Sequence, residues 1–255
     1  MSVRSPTPSV AELRAATQPP SLFERNSGEH WAGKLYMRRV SPFVTRLFLR
    51  TPLTPNAVTW LMVTVGLAAA GVLTLPGLLP AVAALLLIQL QLLLDCVDGE
   101  MARWLDRRSP VGVYLDRIAH YLTETALPIA LGIRADGGWD EIGGWTTLGL
   151  VAAVLQLLVK AETALVHVAR AESGLTKVED TRAVAAPQRG LLRSLRSALG
   201  HLPFYRAFVA VEFTFLALLA EVFDFTRGLV VGLVVVGVVT AVGHLAAILT
   251  SKRLQ

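Results

Sequence analysis

The chain has 255 residues, of which 53% are hydrophobic and 17% charged, with a formal net charge of +5. A mean hydropathy of +0.54 excludes an ordinary water-soluble globular protein and favours an integral membrane protein. Because the basic residues flank apolar segments, we attribute the charge to attraction for anionic lipid headgroups and expect no nucleic-acid partner.

The first fifty residues differ from the rest in composition. Residues 1–30 are rich in Ser, Pro, Glu and Arg and lack the apolar core of a signal peptide, which predicts a flexible cytoplasmic tail. Residues 31–52 interleave apolar and basic side chains, which predicts an amphipathic helix at the membrane interface, broken near Ser41 and Pro42. A solvated linker is the alternative for this segment.

Residues 53–255 are predicted to form a membrane domain. Its apolar stretches lie at 56–75, 78–103, 111–133, 144–168, 204–225 and 228–249. Each approaches the length of about 20 residues that crosses a bilayer, and backbone in lipid must satisfy its own hydrogen bonds. The predicted fold is therefore an all-α integral membrane protein, with six transmembrane helices plus an N-terminal amphipathic interfacial helix.

Basic residues predict the orientation in the membrane. They concentrate before the first stretch, after the second and fourth, and at the C-terminus, whereas the opposite connections hold only Arg134 and Arg227. The excess of Lys and Arg on the cytoplasmic side of membrane proteins predicts a multi-pass protein of the cell membrane. Both termini, and the ends of the second and fourth stretches, are expected in the cytoplasm.

Charged side chains interrupt the second and third stretches. Each costs on the order of 2.5 to 3.5 kcal/mol to insert, so each needs a reason. Asp95 and Asp98 share one helix face, Asp116 and His120 share another, and the short connection makes the two helices antiparallel neighbours. Three converging carboxylates predict a site for Mg²⁺ or Mn²⁺, which prefer oxygen ligands.

Small residues accompany these carboxylates. Gly99, Ala102 and Gly112 leave a groove in which a bulky ligand can approach the backbone, and Arg103 is placed to meet a phosphate. The alternative is that the aspartates only form ion pairs with neighbouring arginines at the membrane surface. The fixed spacing of all these positions favours a binding site.

Together these positions resemble a family motif. The pattern Asp95-x2-Asp98-Gly99-x2-Ala102-Arg103-x8-Gly112-x3-Asp116-x3-His120 is similar to the signature of the CDP-alcohol phosphotransferase family. The resemblance implies that Asp95, Asp98 and Asp116 hold Mg²⁺ or Mn²⁺, as two ions, and that Gly99, Ala102 and Arg103 line a CDP pocket. It also implies transfer from a CDP-linked donor such as CDP-diacylglycerol to an alcohol, with release of CMP.

One position departs from the family motif, which ends in a fourth Asp where this chain has His120. An imidazole accepts a proton at neutral pH, so His120 is a candidate for the base that deprotonates the acceptor alcohol. It is also a candidate metal or substrate ligand. A packing role, in a chain that has lost the activity, is the third alternative.

Further positions are weaker candidates for substrate contacts. Asn56, in a Thr-Pro-Asn start similar to that of family members, either faces the nucleotide or simply belongs to a helix start capped by Thr54. Lys160 is expected to face the interior cavity, since an unpaired buried charge is costly. Arg170 lies in a stretch similar to phosphatidylinositol-phosphate synthases, where basic residues hold the acceptor's phosphate; a surface cation is the alternative. Gly112 is the last candidate.

Several functions remain open at this point. The motif fits a lipid donor with a small, phosphorylated alcohol acceptor, and equally a soluble CDP-alcohol donor with a lipid acceptor. A cation or proton transporter and a non-catalytic member are further alternatives, although an acidic cluster at one end of the helices favours the enzyme. Residues 177–203 suggest a basic interfacial helix or a lid, and small residues in the last stretch suggest a homodimer.

Overall fold

A computed structural model of the chain describes residues 7–19, 31–176, 207–251 and 254. The described part is helical and contains no strand, which confirms the all-α class. The helices are α1 (Val10–Thr17), α2 (Arg38–Phe48), α3 (Pro55–Leu73), α4 (Leu78–Trp104), α5 (Pro110–Asp136), α6 (Gly144–Glu172), α7 (Ala210–Val222) and α8 (Thr226–Thr250). A π-helical turn, Gly33–Met37, precedes α2, and a 3-10 turn, Trp139–Glu141, precedes α6. The predicted basic segment at 177–203 lies outside the described residues.

Among the described residues, four helices are long and apolar enough to cross a membrane, namely α3, α4, α6 and α8. They match the predicted stretches to within a few residues. Helix α5 is long enough but carries several charged side chains, and α7 has 13 residues. Residues 204–206 of the predicted fifth stretch are not among the described residues. The structure therefore supports a multi-pass membrane protein, and the count of six spans remains a prediction.

The N-terminal region is more ordered than predicted. Residues 1–30 were expected to form a flexible tail, but Val10–Thr17 form helix α1. Ser9 and Glu12 form a capping box, in which each side chain accepts a hydrogen bond from the other residue's backbone N–H. Leu13 is fully buried, so α1 also packs against the rest of the protein.

The predicted break near Pro42 is absent. Helix α2 runs through Pro42, and the irregular turn lies earlier, at Gly33–Met37. Proline lacks the N–H that would bond the carbonyl four residues before it, here that of Arg38. Gln18 Nε2 donates to this carbonyl at 2.9 Å. The side chain of Gln18, which directly follows α1, thus supplies the hydrogen bond that Pro42 cannot, and the helix continues.

The chain divides into two compact units. The first comprises Met1–Val72 and Val82–Thr123, and the second comprises Leu73–Ala81 and Glu124–Gln255. In the first unit α3 and α5 approach closely at Gly66, where a β-carbon would collide with Thr123. A small residue is needed there because the Thr123 side chain occupies the space that a β-carbon on Gly66 would take.

In the second unit α5 and α6 cross at two glycines. A β-carbon on Gly132 would collide with the backbone of Trp145, and one on Gly149 with the backbone of Pro128. On α8, Gly237 packs against Leu155 of α6 within the same chain. The predicted homodimer contact through the small residues of α8 gains no support from this packing.

Candidate functional site

The connection between α4 and α5 brings two charged helix faces together. Two residues after the end of α4, Asp106 lies in the left-handed region (φ 52°), a conformation that aspartate tolerates better than most residues. Helix α5 begins at Pro110, and the Ser109 hydroxyl accepts a hydrogen bond from the Gly112 N–H at 3.1 Å. A cap on each side of a five-residue connection makes the two helices antiparallel neighbours, as predicted.

Asp95, Asp116 and His120 meet where these faces approach, and we call them the metal-ligand cluster because together they could hold a metal ion. One ligand atom from each lies within 4.8 Å of the others. His120 Nε2 is 3.3 Å from Asp95 Oδ1 and 3.7 Å from Asp116 Oδ1. Their side chains keep between 25% and 45% of their surface exposed, so the cluster is open to a ligand.

Asp98 lies on α4, as Asp95 does, but it contacts a different residue. Its Oδ2 accepts a hydrogen bond of 2.6 Å from the Thr59 hydroxyl of α3. Asp98 is buried, and Thr59 is nearly inaccessible to solvent. The predicted set of three aspartates is therefore arranged as two beside His120 and one held by Thr59.

Gly99 and Arg103 lie one helical turn apart and belong to one surface. A β-carbon on Gly99 would stand 3.0 Å from one guanidinium nitrogen of Arg103, so the side chain folds back over the glycine. The absence of a side chain at Gly99 thus makes room for the guanidinium. Ala102 precedes Arg103 and is half-buried.

Asn56 and Gly112 are also close to each other. A β-carbon on Gly112 would stand 3.4 Å from Asn56 Oδ1. The start of α3 therefore lies beside the start of α5, near the helix ends that carry the motif. The Thr54 hydroxyl accepts a hydrogen bond from the Ala57 N–H at 3.2 Å, so the helix start is capped as well.

Two residues with a part in this region were given no role by the sequence. Thr59 holds Asp98, and Glu100 is completely buried on the opposite face of α4. An ionisable side chain inside an apolar helix indicates that a partner for it lies nearby. The identity of that partner is not visible in the sequence, because it lies far along the chain.

The second unit holds the predicted substrate residues Lys160 and Arg170. Lys160 Nζ forms an ion pair of 2.8 Å with Glu124, which also accepts a hydrogen bond from Gln156. Arg170 is buried, and its Nε donates to the Thr176 carbonyl at 3.0 Å. The prediction that Lys160 needs an interior environment is consistent with this pairing.

The donor set of the metal-ligand cluster fits a divalent cation. The two carboxylates offer the oxygen ligands that Mg²⁺ and Mn²⁺ prefer, and the imidazole nitrogen is a common ligand of divalent transition metals. Cys96 is the one cysteine of the chain and is buried beside Asp95, which leaves no set of thiolates to favour a softer metal.

Comparison with known proteins supplies independent information. A family model described as CDP-alcohol phosphatidyltransferase matches residues 52–243, well over half of the chain. An archaetidylinositol phosphate synthase of Aeropyrum pernix is 40% identical over 99 residues, which is 37% of this chain and 50% of the relative. The chain thus spans about half the length of this relative.

Proposed function

Because the chain belongs to the CDP-alcohol phosphatidyltransferase family, we propose that it transfers a phosphate-linked group from a CDP-activated lipid to the hydroxyl of a phosphorylated polyol. The observation that carries the proposal is the metal-ligand cluster, whose three ligand atoms lie within 4.8 Å of one another. Such a cluster suits chemistry on a pyrophosphate, whose charge needs divalent cations.

Asp95, Asp98 and Asp116 are proposed to hold two Mg²⁺ or Mn²⁺ ions. When bound, these ions neutralise the charge that develops on the pyrophosphate of the donor. The Thr59 hydroxyl fixes the Asp98 carboxylate through the 2.6 Å hydrogen bond, which is the role of the outer partners of metal ligands. The protein contributes the orientation of these side chains.

His120 is proposed as the base. The acceptor hydroxyl gives its proton to the imidazole as its oxygen bonds to the β-phosphorus, and the bond from that phosphorus to CMP breaks. The resulting imidazolium is stabilised by Asp95, 3.3 Å from Nε2, and by Asp116. A direct bond from His120 to a metal ion is the competing role, and the variants below separate the two.

The donor's CDP group is proposed to bind along Gly99, Ala102 and Arg103. The guanidinium that folds over Gly99 supplies paired N–H donors, the geometry that phosphate oxygens favour. Asn56, beside Gly112, is proposed to contact the nucleotide from α3. A lipid donor suits a membrane protein because its acyl chains remain in the bilayer during transfer.

The phosphorylated acceptor is proposed from the name of the relative, in which an inositol phosphate is part of the product. Lys160 and Arg170 are proposed to contact the acceptor. Both are engaged with other groups, Lys160 with Glu124 and Arg170 with the Thr176 carbonyl, so binding would have to replace or share these contacts. We also propose that both termini and the site face the cytoplasm, as the distribution of Lys and Arg predicts.

The test is CMP release by purified protein with CDP-diacylglycerol or an archaeal CDP-activated lipid and a panel of free and phosphorylated polyols, with Mg²⁺, Mn²⁺ or a chelator. We expect release with a phosphorylated polyol and metal only. Release from soluble CDP-alcohols with a lipid acceptor would reverse the assignment of donor and acceptor, and no release from any pair would reject the enzyme.

Variants of His120 test whether it is the base. If it is the base, His120→Asp, which restores the family motif, keeps substantial activity, while His120→Ala loses about 100-fold or more. Mn²⁺ binding by His120→Ala should remain close to that of the wild type. An active His120→Ala protein, or one that loses both Mn²⁺ and turnover, would remove the base role.

A further inference from the structure

Glu100 is a buried carboxylate that the proposed chemistry does not use. It lies on α4, two residues after Asp98 and on the other side of the helix, and none of its surface is exposed. A carboxylate without water must accept hydrogen bonds to remain charged at acceptable cost. Its donors are Gln18 Nε2 at 2.9 Å, Ser41 Oγ at 2.6 Å and Arg38 at 3.4 Å on one oxygen, and Thr45 Oγ1 at 2.7 Å on the other.

Gln18 directly follows α1, and the other three donors belong to α2. We call α1, Gln18 and α2 the N-terminal segment. Gln18 also donates to the Arg38 carbonyl, and Arg14 donates to the Arg39 carbonyl, so the two helices are joined to each other. One carboxylate therefore connects the whole N-terminal segment to the helix that carries Asp95 and Asp98.

The surface of α2 explains why this connection is polar. Ser41 and Thr45 face the protein interior, whereas Val40, Phe43 and Leu47 are about half exposed. This is the reverse of a helix on a soluble protein and suits an apolar face in contact with lipid. Because Val40, Phe43 and Leu47 are turned outward, the hydrogen bonds from Ser41 and Thr45 to Glu100 are the polar part of the contact between α2 and α4.

The C-terminal half of α2 also packs behind the candidate site. Val44, Phe48 and Leu49 pack against a buried core that includes Val58, Leu94, Val97 and Ala119. Each of these core residues directly precedes a residue of the site, which is Thr59, Asp95, Asp98 or His120 respectively. A shift of α2 would therefore reach the residues that hold the proposed metal ions, because close-packed cores transmit displacement.

We propose that Glu100 is a positioning residue: its carboxylate docks the N-terminal segment on α4, and the docked segment keeps the metal-ligand cluster in its working arrangement. The segment lies before residue 52, where the family match begins, so this device adds to what the match describes. Its effect on turnover rests on the proposed function, whereas the docking itself does not.

Cys96 provides a test of docking that requires no substrate. It is the sole cysteine, it is buried, and it lies four residues before Glu100 on the same face of α4. In detergent, N-ethylmaleimide should label Cys96 slowly in the wild type and about tenfold faster in Glu100→Ala, since several hydrogen bonds to a charged group are lost. Equal labelling rates would overturn the docking role.

The matched control is Glu221→Ala. Glu221 pairs with the buried Arg134 at 2.7 Å in the second unit, so its removal also breaks a buried ionic contact. This variant should lose stability but label Cys96 at the wild-type rate. Faster labelling in both variants would mean that Cys96 reports general loosening, and the proposal would fail.

The effect on the site is tested through the metal requirement. Glu100→Ala should raise the Mn²⁺ concentration for half-maximal CMP release about 10- to 100-fold, the range seen when outer partners of metal ligands are removed. Glu221→Ala should leave that concentration unchanged. An unchanged metal requirement in Glu100→Ala, with faster Cys96 labelling, would contradict the positioning role and leave only a structural one.

Milder variants keep the proposal testable if Glu100→Ala does not fold. Thr45→Val and Ser41→Ala each remove one donor and should raise both readouts a few-fold. Because both donors act through Glu100, combining either with Glu100→Gln should give less than the product of the separate effects. Wild-type values in both donor variants, or fully multiplicative effects, would overturn the proposal. If the wild type releases no CMP, the proposed function fails while the labelling experiment still decides the docking.

Discussion

The two units arrange their acidic side chains differently. In the second unit each of three acidic side chains contacts a basic one: Glu124 contacts Lys160 at 2.8 Å, Glu221 contacts Arg134 at 2.7 Å, and Glu162 contacts the His244 imidazole at 2.9 Å. In the first unit Glu100 is likewise paired with Arg38, but the carboxylates of Asp95 and Asp116 lie together around His120. Pairing lowers the cost of charge in a membrane domain, whereas clustering like charges raises it unless a cation binds. The comparison indicates that the first unit keeps two repelling carboxylates side by side because their function is to bind a cation.

Neutralising a cluster carboxylate is the sharpest test of this difference. Asp116→Asn should reduce CMP release by about 10³-fold or more, because a metal ligand is lost from the reacting site. Without metal its Tm should equal or exceed that of the wild type, since repulsion between like charges is relieved. The checks are turnover and thermal unfolding of the same preparation. A folded, active Asp116→Asn protein would show that the Asp116 carboxylate is not needed for the reaction.

Breaking an ion pair in the second unit should have the opposite pattern, with lower stability and unchanged turnover. Arg134 bonds Glu221 and the carbonyls of Leu73 and Gly77, and its side chain is almost fully buried. Arg134→Met should lower the free energy of unfolding by roughly 3 to 5 kcal/mol, the cost of leaving a buried partner without its charge. Thermal unfolding measures this loss. The protein that remains folded should keep its turnover, and a Tm equal to that of the wild type would contradict the structural role.

Removing the support of Asp98 should have an intermediate effect. Thr59→Val keeps the shape of the side chain but deletes the hydroxyl that donates to Asp98 at 2.6 Å. We expect CMP release to fall about 10-fold, with a higher Mn²⁺ requirement and little change in Tm. Thr64→Val, on the exposed part of the same helix, is the control because its hydroxyl donates only to the Trp60 carbonyl in the described contacts. Equal turnover in Thr59→Val and the wild type would show that the Thr59 hydroxyl is not needed to hold Asp98 for the reaction.

The smallest expected effect belongs to the pair between α6 and α8. Glu162→Gln keeps a hydrogen-bond acceptor for His244 Nδ1, now 2.9 Å from the carboxylate, and removes only the charge. A loss of about 1 kcal/mol in unfolding free energy, with unchanged turnover, is expected. A large loss of turnover would show that the second unit contributes charge to the reaction and that the two units are less distinct than proposed.

Local sequence patterns predicted much of the fold. Helices α3, α4, α5, α6 and α8 begin and end within four residues of the apolar stretches, because a bilayer-length run of apolar residues has few alternatives to a helix. Helical spacing and a short connection likewise predicted that the face with Asp95 and Asp98 meets the face with Asp116 and His120, and three of these four residues meet while Asp98 is held by Thr59. The contacts within the metal-ligand cluster join residues no more than 25 positions apart.

The parts that local patterns missed depend on distant contacts. Glu100 meets Thr45, 55 positions away, and Gln18, 82 positions away, and no pattern links them. Helix α1 is short and polar, so its order depends on packing against α2. Helix α2 survives Pro42 for the same reason, since Gln18 supplies the hydrogen bond to the Arg38 carbonyl.

Whether the clustered carboxylates hold the metal is tested by measuring Mn²⁺ binding to the purified protein without substrates. Electron paramagnetic resonance of the free ion reports how much Mn²⁺ is bound. The wild type should bind Mn²⁺ at the metal-ligand cluster, and Asp95→Asn and Asp116→Asn should each weaken binding at least about tenfold. Glu124→Gln, a carboxylate of the second unit, should bind as the wild type does. Equal Mn²⁺ binding by all four proteins would contradict the claim that clustered carboxylates of the first unit hold the metal.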